Sequence, residues 1–566
     1  MKSRFVTTEK GLYALAFGLA LAMRFLALGQ TPLSDAEAGL ALQASHVLGD
    51  AATDLGSQSA YVMLTGILMF LSDATDWVAR FWPAIAGSLL VLVPALFRKK
   101  LGSNAALVLA FCLALDPGLT ATSREAGSTM IATTALLAVL GFTLARRPVW
   151  AGIAAGFALL SGPALWPGLI SVGVGAWLIT RQAVDEEAEA GRFDWRTALI
   201  AAAAVFFLVG SLVFLKPGGL GAALGGLPEY LSGWGRPSAG VAIGVVLTAL
   251  PVYEAAALFL ALLGLGRAIF RKDSLDLRLA AWAGIALLLV VAYPGRQIVD
   301  LTWVLLPLLA LAARQLARML DAPREDRTAM IGQALLTAVM VFFAWSSVLD
   351  LSNLVDQVGA TAPALEWGRF AASLVLLGIA TFLVGWGWSV EAARDGLQWG
   401  IALVVGLFSL AALFNGMGVS RRAEMELWRS GPPFTQEALL QTTLRNFSEW
   451  QPSLNTQIDI AVVGLDGPAL RWALREFDHV SYVSDLPVNA QPAVMITPND
   501  VVLEQAAPYR GQDFEIWRKP FWDLFLGRDW LNWSVYRTGM TDYEQMIVWV
   551  RTDLFPGGDA SAADLQ

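Results

Sequence analysis

The sequence predicts an α-helical polytopic membrane protein of about thirteen transmembrane helices, followed by an extracytoplasmic α/β domain. Composition is the first indication: the 566 residues are 56% hydrophobic and only 15% charged, with a mean hydropathy of +0.56. That is too apolar for a soluble globule of this size. Apolar stretches, about as long as a segment needs to satisfy its own backbone amides in hydrocarbon, recur up to residue 415. Beyond that point charges become dense and turn residues frequent, which divides the chain into a membrane domain, 1–419, and an outer domain, 420–566.

The expected spans are 11–29, 81–97, 103–117, 126–145, 149–162, 164–180, 197–215, 241–265, 279–293, 299–313, 329–349, 367–388 and 397–415. The first has basic flanks but contains Arg24 and has no persuasive small-residue cleavage site, so it is expected to be retained. The pair around Ser161-Gly162-Pro163 reads as a helical hairpin with a tight turn. Basic residues fix the orientation. Twenty fall in segments assigned to the cytoplasm, Arg98-Lys99-Lys100 and Arg146-Arg147 among them, against six in the short outer segments. This bias predicts a cytoplasmic N-terminus and an outer C-terminus in the cell membrane.

The same layout leaves residues 30–80 as a long outer loop, with juxtamembrane helices from about Asp35 to Leu48 and Ser59 to Leu71. The second is about eleven residues from Tyr61, short for a crossing, and letting it cross would put Arg98-Lys99-Lys100 outside. In the outer domain, strands are expected at Ile458–Val463, His479–Val483, Ala493–Ile496, Phe514–Trp517, Trp533–Tyr536 and Gln545–Val550, with a helix from Pro468 to Phe477. The Gly464-Leu465-Asp466-Gly467 turn is an incomplete match to any nucleotide-binding fingerprint.

Several chemistries are unsupported. Cys112 is alone, and His46 and His479 are far apart, so no disulfide, histidine metal cluster or Ser-His-Asp triad is expected. No P-loop and no basic stripe for nucleic acid is present, and the net charge is -8. What remains is polar chemistry at outer helix ends. Ser34-Asp35-Ala36-Glu37 reads either as a capping box that starts a helix or as a carboxylate pair acting as general base. No cofactor is required, although a divalent cation at this motif is allowed. Arg124 and Arg296 both break the charge bias and suit a phosphate, while Glu125 and Tyr253 are further polar candidates. Glu254, placed in mid-membrane, is either functional or structural, paired with Arg24 or bonded to a neighbouring helix.

The order of Pro32-Leu33-Ser34-Asp35-Ala36-Glu37-Ala38, a Ser59-Ala60-Tyr61 helix, Ala79-Arg80-Phe81-Trp82-Pro83 leading into a span, and Ser123-Arg124-Glu125-Ala126-Gly127-Ser128 resembles the GT-C glycosyltransferases. The branch it resembles contains the protein O-mannosyltransferases and aminoarabinose transferases, and the resemblance covers about residues 10–320. It implies sugar transfer, with inversion, from a polyprenyl-phosphate donor to an extracytoplasmic protein, lipid or glycan. It also implies that Asp35 or Glu37 is the base and that Arg124 or Arg296 holds the donor phosphate. The family usually shows adjacent Asp-Glu, whereas here Ala36 separates the two, so either carboxylate fits the catalytic position. The family's Lys-Pro-Pro before the Tyr61 helix is replaced by Gln58-Ser59-Ala60. The alternative reading is a transporter or flippase of lipid-linked glycans, with Glu254 and Arg24 on its path; no internal repeat favours it.

Overall fold

Burial in the computed structural model sorts the helices by their surroundings, over the described residues 8–49, 55–180, 193–235, 240–322, 326–354, 362–419, 422–450, 458–487, 489–500 and 507–555. The helix Ile298–Asp321 is enclosed: every residue from Thr302 to Ala313 is buried. Around it pack Ser103–Leu115, Ala255–Arg271 and Ser274–Ala292. Peripheral helices present Leu199, Phe270, Leu288, Phe342 and Phe382 outward, as a lipid-bathed surface requires. Among the described residues, seven helices are long and apolar enough to cross a membrane, or up to nine if each of two bent pairs is one span. Shorter apolar helices are Ser59–Leu71, Thr129–Leu144, Pro148–Leu159 and Trp195–Gly210.

The bent pairs correct the expectation of uniform spans. Within 241–265, Ile243–Tyr253 and Ala255–Arg271 meet at 86°, so Glu254 lies at a break and not in mid-helix. Pro251 removes an amide donor just before that break. Ser103–Leu115 and Pro117–Ser123 likewise bend by 57° at Asp116, because Pro117 bars helix at the preceding residue and opens a new one. Asp116 then caps the new helix, accepting from Leu119 N–H at 2.7 Å. At Ser161-Gly162-Pro163 the chain turns through Gly162, whose φ of +67° favours glycine, and the flanking helices Pro148–Leu159 and Leu165–Thr180 pack chiefly on other helices.

In the outer domain a mixed sheet has the order β2-β1-β3-β5-β4, formed by β1 (Ile460–Val463), β2 (Val480–Val483), β3 (Val494–Pro498), β4 (Tyr509–Pro520) and β5 (Thr541–Arg551). The first three are parallel, and β5 runs antiparallel to both β3 and β4. The helix Pro468–Ala473 crosses from β1 to β2. Trp533–Tyr536, expected as a strand, is the end of the helix Gly527–Tyr536. Its aromatic and β-branched residues suggest a strand, but the inward side chains Trp530, Trp533 and Arg537 recur at helical spacing.

The two parts share one seam. Ser34 forms an isolated β-bridge with Pro433, and Phe434 N–H donates to the Leu33 carbonyl at 3.3 Å. The Trp472 indole donates to Asp76 at 2.7 Å and Arg475 to the Ala74 carbonyl at 3.0 Å. Leu33, Ala38 and Ala41 of the juxtamembrane region belong to the same apolar cluster as Phe434, Ile460 and Trp472.

Candidate active site

The seam places the sequence candidates in unequal positions. Asp35 is exposed, and its Oδ1 accepts the Ala469 N–H at 2.9 Å. It caps the crossover helix Pro468–Ala473, which has no side-chain cap from its own Gly467. Glu37 completes the expected capping box, accepting from Ser34 N–H and the Ser34 hydroxyl at 3.2 Å each. It also takes a fork from Arg80, with Nε to Oε1 at 2.8 Å and Nη2 to Oε2 at 2.9 Å, and the Ala126 N–H at 3.0 Å. Burial alone would raise the Glu37 carboxyl, but the Arg80 charge and these bonds outweigh it and hold the group below its ordinary value. Such a carboxylate is a weak base.

Arg124 donates to the carbonyls of Arg24 (2.9 Å), Leu26 (2.8 Å), Ala27 (3.0 Å) and Met23 (3.3 Å). These are orphan acceptors at the end of the helix Thr8–Phe25, so the side chain closes that terminus. Glu125 next to it is half-buried and accepts the Ser430 N–H at 2.8 Å. Burial, then the Glu37 charge, push its carboxyl up to about 8, the range of a working acid or base.

Glu37, Arg80, Arg124 and Glu125 line one small cavity of about 20 Å³, together with Arg429. Arg429 lies in the segment after the helix Val390–Gly416, where nothing in the sequence marked it. Its Nε is buried without a hydrogen-bond partner. Burial and the neighbouring Arg80 charge lower its pKa, and burial with Arg80, Arg429 and Arg24 brings Arg124 down to about 9. Three guanidinium groups thus face two carboxyls, one of which, Glu125, has its ionisation disfavoured. The surplus is positive, which suits an anion. A divalent cation does not fit this set, and among the described residues no three metal-ligating side chains gather anywhere.

Arg296 stands outside the cavity. Its Nη1 donates to the Val241 carbonyl at 3.1 Å and its Nε is buried without a partner. Glu254 does not pair with Arg24. It accepts the Gly118 N–H at 3.1 Å beside Asp116, whereas Arg24 donates to Ser123 Oγ at 3.1 Å and to the Leu113 carbonyl at 3.0 Å. Tyr253 donates to Glu426, which also takes Arg537 Nε at 2.7 Å, and Tyr253 Oη accepts the Leu427 N–H at 3.1 Å.

No protein-family profile matches the sequence, and no curated protein matches it. Among solved structures, ArnT from Cupriavidus metallidurans bound to undecaprenyl phosphate is similar at a TM-score of 0.56 and 15% identity, over 96% of this chain and 99% of that one. The same protein in its apo state gives 0.51 and 17%, over 87% and 94%. The Archaeoglobus fulgidus oligosaccharyltransferase in its apo form is more distant, at 0.41 and 15% over 85% of this chain and 65% of that one. ArnT is an aminoarabinose transferase of the GT-C superfamily. The membrane helices and the outer sheet domain together therefore have the GT-C fold, that of ArnT.

Proposed function

We propose that the chain is an integral membrane glycosyltransferase that moves a sugar from a polyprenyl-phosphate donor to an extracytoplasmic acceptor. The observation that carries this reading is the three-arginine cavity at the seam, with Arg429 Nε unpartnered. The excess of guanidinium over carboxylate in its lining suits a phosphate, and the ArnT of like fold holds undecaprenyl phosphate. The reading includes the thirteen-span layout expected from the sequence, with the N-terminus in the cytoplasm and the outer domain across the cell membrane; under it the cavity would open on the side where such a donor is reached.

In this mechanism the acceptor hydroxyl or amine attacks the anomeric carbon as the bond to the phosphate oxygen breaks, inverting the centre. The acceptor proton passes to a carboxylate, and the electron pair leaves on the phosphate, whose charge Arg429 and Arg124 stabilise. Glu125 is the best-placed base, since Glu37 is held by Arg80 and Asp35 by Ala469 N–H. Arg296 lies on a separate turn, outside this cavity, and is not part of the proposed phosphate site. Purified protein in nanodiscs, given radiolabelled polyprenyl-phosphate sugar with an acceptor mixture, should release free polyprenyl phosphate. Intact donor across a range of sugars would refute the reading.

A flippase reading draws on a different observation, the two helix breaks at Asp116 and Glu254. It requires lipid-linked glycan to cross liposomes in a Glu254-dependent way without donor cleavage.

A further inference from the structure

The connection from β4 to β5, residues 521–540, holds an aromatic cluster that the proposed chemistry does not use. Trp522 stacks on Trp530 at 5.1 Å between ring centroids, and Trp533 meets Trp522 edge-on at 5.0 Å. The inner side of this segment is fastened to the membrane part. Arg537 lies over the Tyr253 ring at 5.5 Å and the helix Gly527–Tyr536 touches the membrane helix Arg327–Leu354, while the Trp533 indole donates to the Met425 carbonyl just after the last membrane helix at 2.8 Å. Phe525 and Trp533 belong to the same apolar cluster as Trp303 and Tyr253 inside the membrane bundle.

The other side is bare. Phe521, Leu524, Leu526 and Met540 are 40%, 51%, 64% and 65% exposed. A soluble domain gains nothing by showing four large apolar side chains to water beside a tryptophan cluster. Tryptophan collects at the headgroup level, where the ring is buried and the indole N–H stays bonded.

We propose that residues 521–540 form a membrane-resting foot of the outer domain, with Phe521, Leu524, Leu526 and Met540 in the acyl region of the adjoining leaflet. The occupant of this face is the bilayer itself, because the segment packs on the membrane helix Arg327–Leu354, which itself turns Phe342 and Phe343 outward. The foot holds the domain level with the membrane and so sets the height of the Glu426–Arg537 tie above the cavity. The inference rests on the membrane reading of the helices and is independent of sugar transfer.

The test places a bimane label at Leu526→Cys or Met540→Cys, in a Cys112→Ala background, in the full chain in nanodiscs. A control label goes at Gln512→Cys, eight residues back along β4 from Pro520 and so about 26 Å away at strand spacing. Lipid carrying a shallow doxyl quencher should dim the foot labels at least threefold more than the control, and aqueous iodide should do the reverse. Iodide quenching at the foot equal to the control overturns the proposal. So does protection from both quenchers, which would mean that protein, such as a second copy, covers the face.

Discussion

Replacing Glu37 by glutamine separates a structural from a catalytic carboxylate. The substitution keeps the shape and the Ser34 cap but removes the charge opposite Arg80, and both side chains of that pair are 4% exposed. Two forked bonds, at 2.8 and 2.9 Å, lose their ionic acceptor, and the guanidinium is left with the carbonyls of Thr31 (2.5 Å), Pro32 (3.2 Å) and Leu28 (3.4 Å). Breaking a buried pair by removing one partner costs about 3–5 kcal/mol, well above the roughly 0.5–2 kcal/mol of a lost cap. Glu37→Gln should therefore lower the apparent Tm in detergent by many degrees. The pair Glu37→Gln, Arg80→Gln should be less destabilised than the sum of the singles, because no charge is stranded. Sign and pH follow from the depressed carboxyl. Its contribution is present above the unfolded value of about 4.3 and is lost as pH falls through the lower folded value. A Glu37→Gln protein that melts like wild type but transfers no sugar would refute this reasoning and restore Glu37 as the base.

Arg429→Ala should weaken binding of polyprenyl phosphate by about ten- to hundredfold, from the roughly 1.5–3 kcal/mol of a charge-assisted bond, with partial rescue by lysine, read by isothermal titration. Glu125→Gln should abolish transfer with Tm unchanged or raised. In wild type, transfer should climb with pH towards about 8, and a flat profile from pH 6 to 9 would count against Glu125. The folded state holds this proton more tightly than the unfolded, so the Glu125 contribution to stability falls as pH rises from about 4.3 to the folded value, then levels off. Asp35→Ala should cost about 0.5–2 kcal/mol and raise hydrogen exchange in 467–473 while transfer survives; unchanged exchange there would refute the cap in trans. Reporter fusions after residues 100, 147 and 272 should read cytoplasm and after 225 and 430 the outer side, with a cytoplasmic signal at 430 breaking the thirteen-span layout.

Much of the helical plan was legible because hydrocarbon imposes a uniform demand on every span, and the Ser34–Glu37 capping box because its spacing is local. The breaks at Asp116 and Glu254 were half visible, since each has a proline beside it, but prolines such as Pro83 and Pro307 sit inside continuing helices. What reading from sequence alone could not supply was who holds whom. Nothing local pairs Glu37 with Arg80, places Ala469 N–H on Asp35, or separates Arg296 from Arg124. Arg429 was invisible for the same reason. It sits in a polar stretch after the last apolar run and acquires meaning only when the chain folds back over residues that precede it by about three to four hundred positions.

That fold-back bears on biogenesis. Glu37, Arg80, Arg124 and Glu125 leave the ribosome early, but Trp428 packs on Tyr253 and bonds Thr122, and Arg429 enters the cavity, only after the helix Val390–Gly416 has been made. A nascent chain halted before that point carries an unfinished cavity, and if the cavity is the site of transfer it is inert while still being inserted. The order of synthesis then acts as a safeguard: the chain can become active only once its outer domain has followed the last helix and settled on the seam.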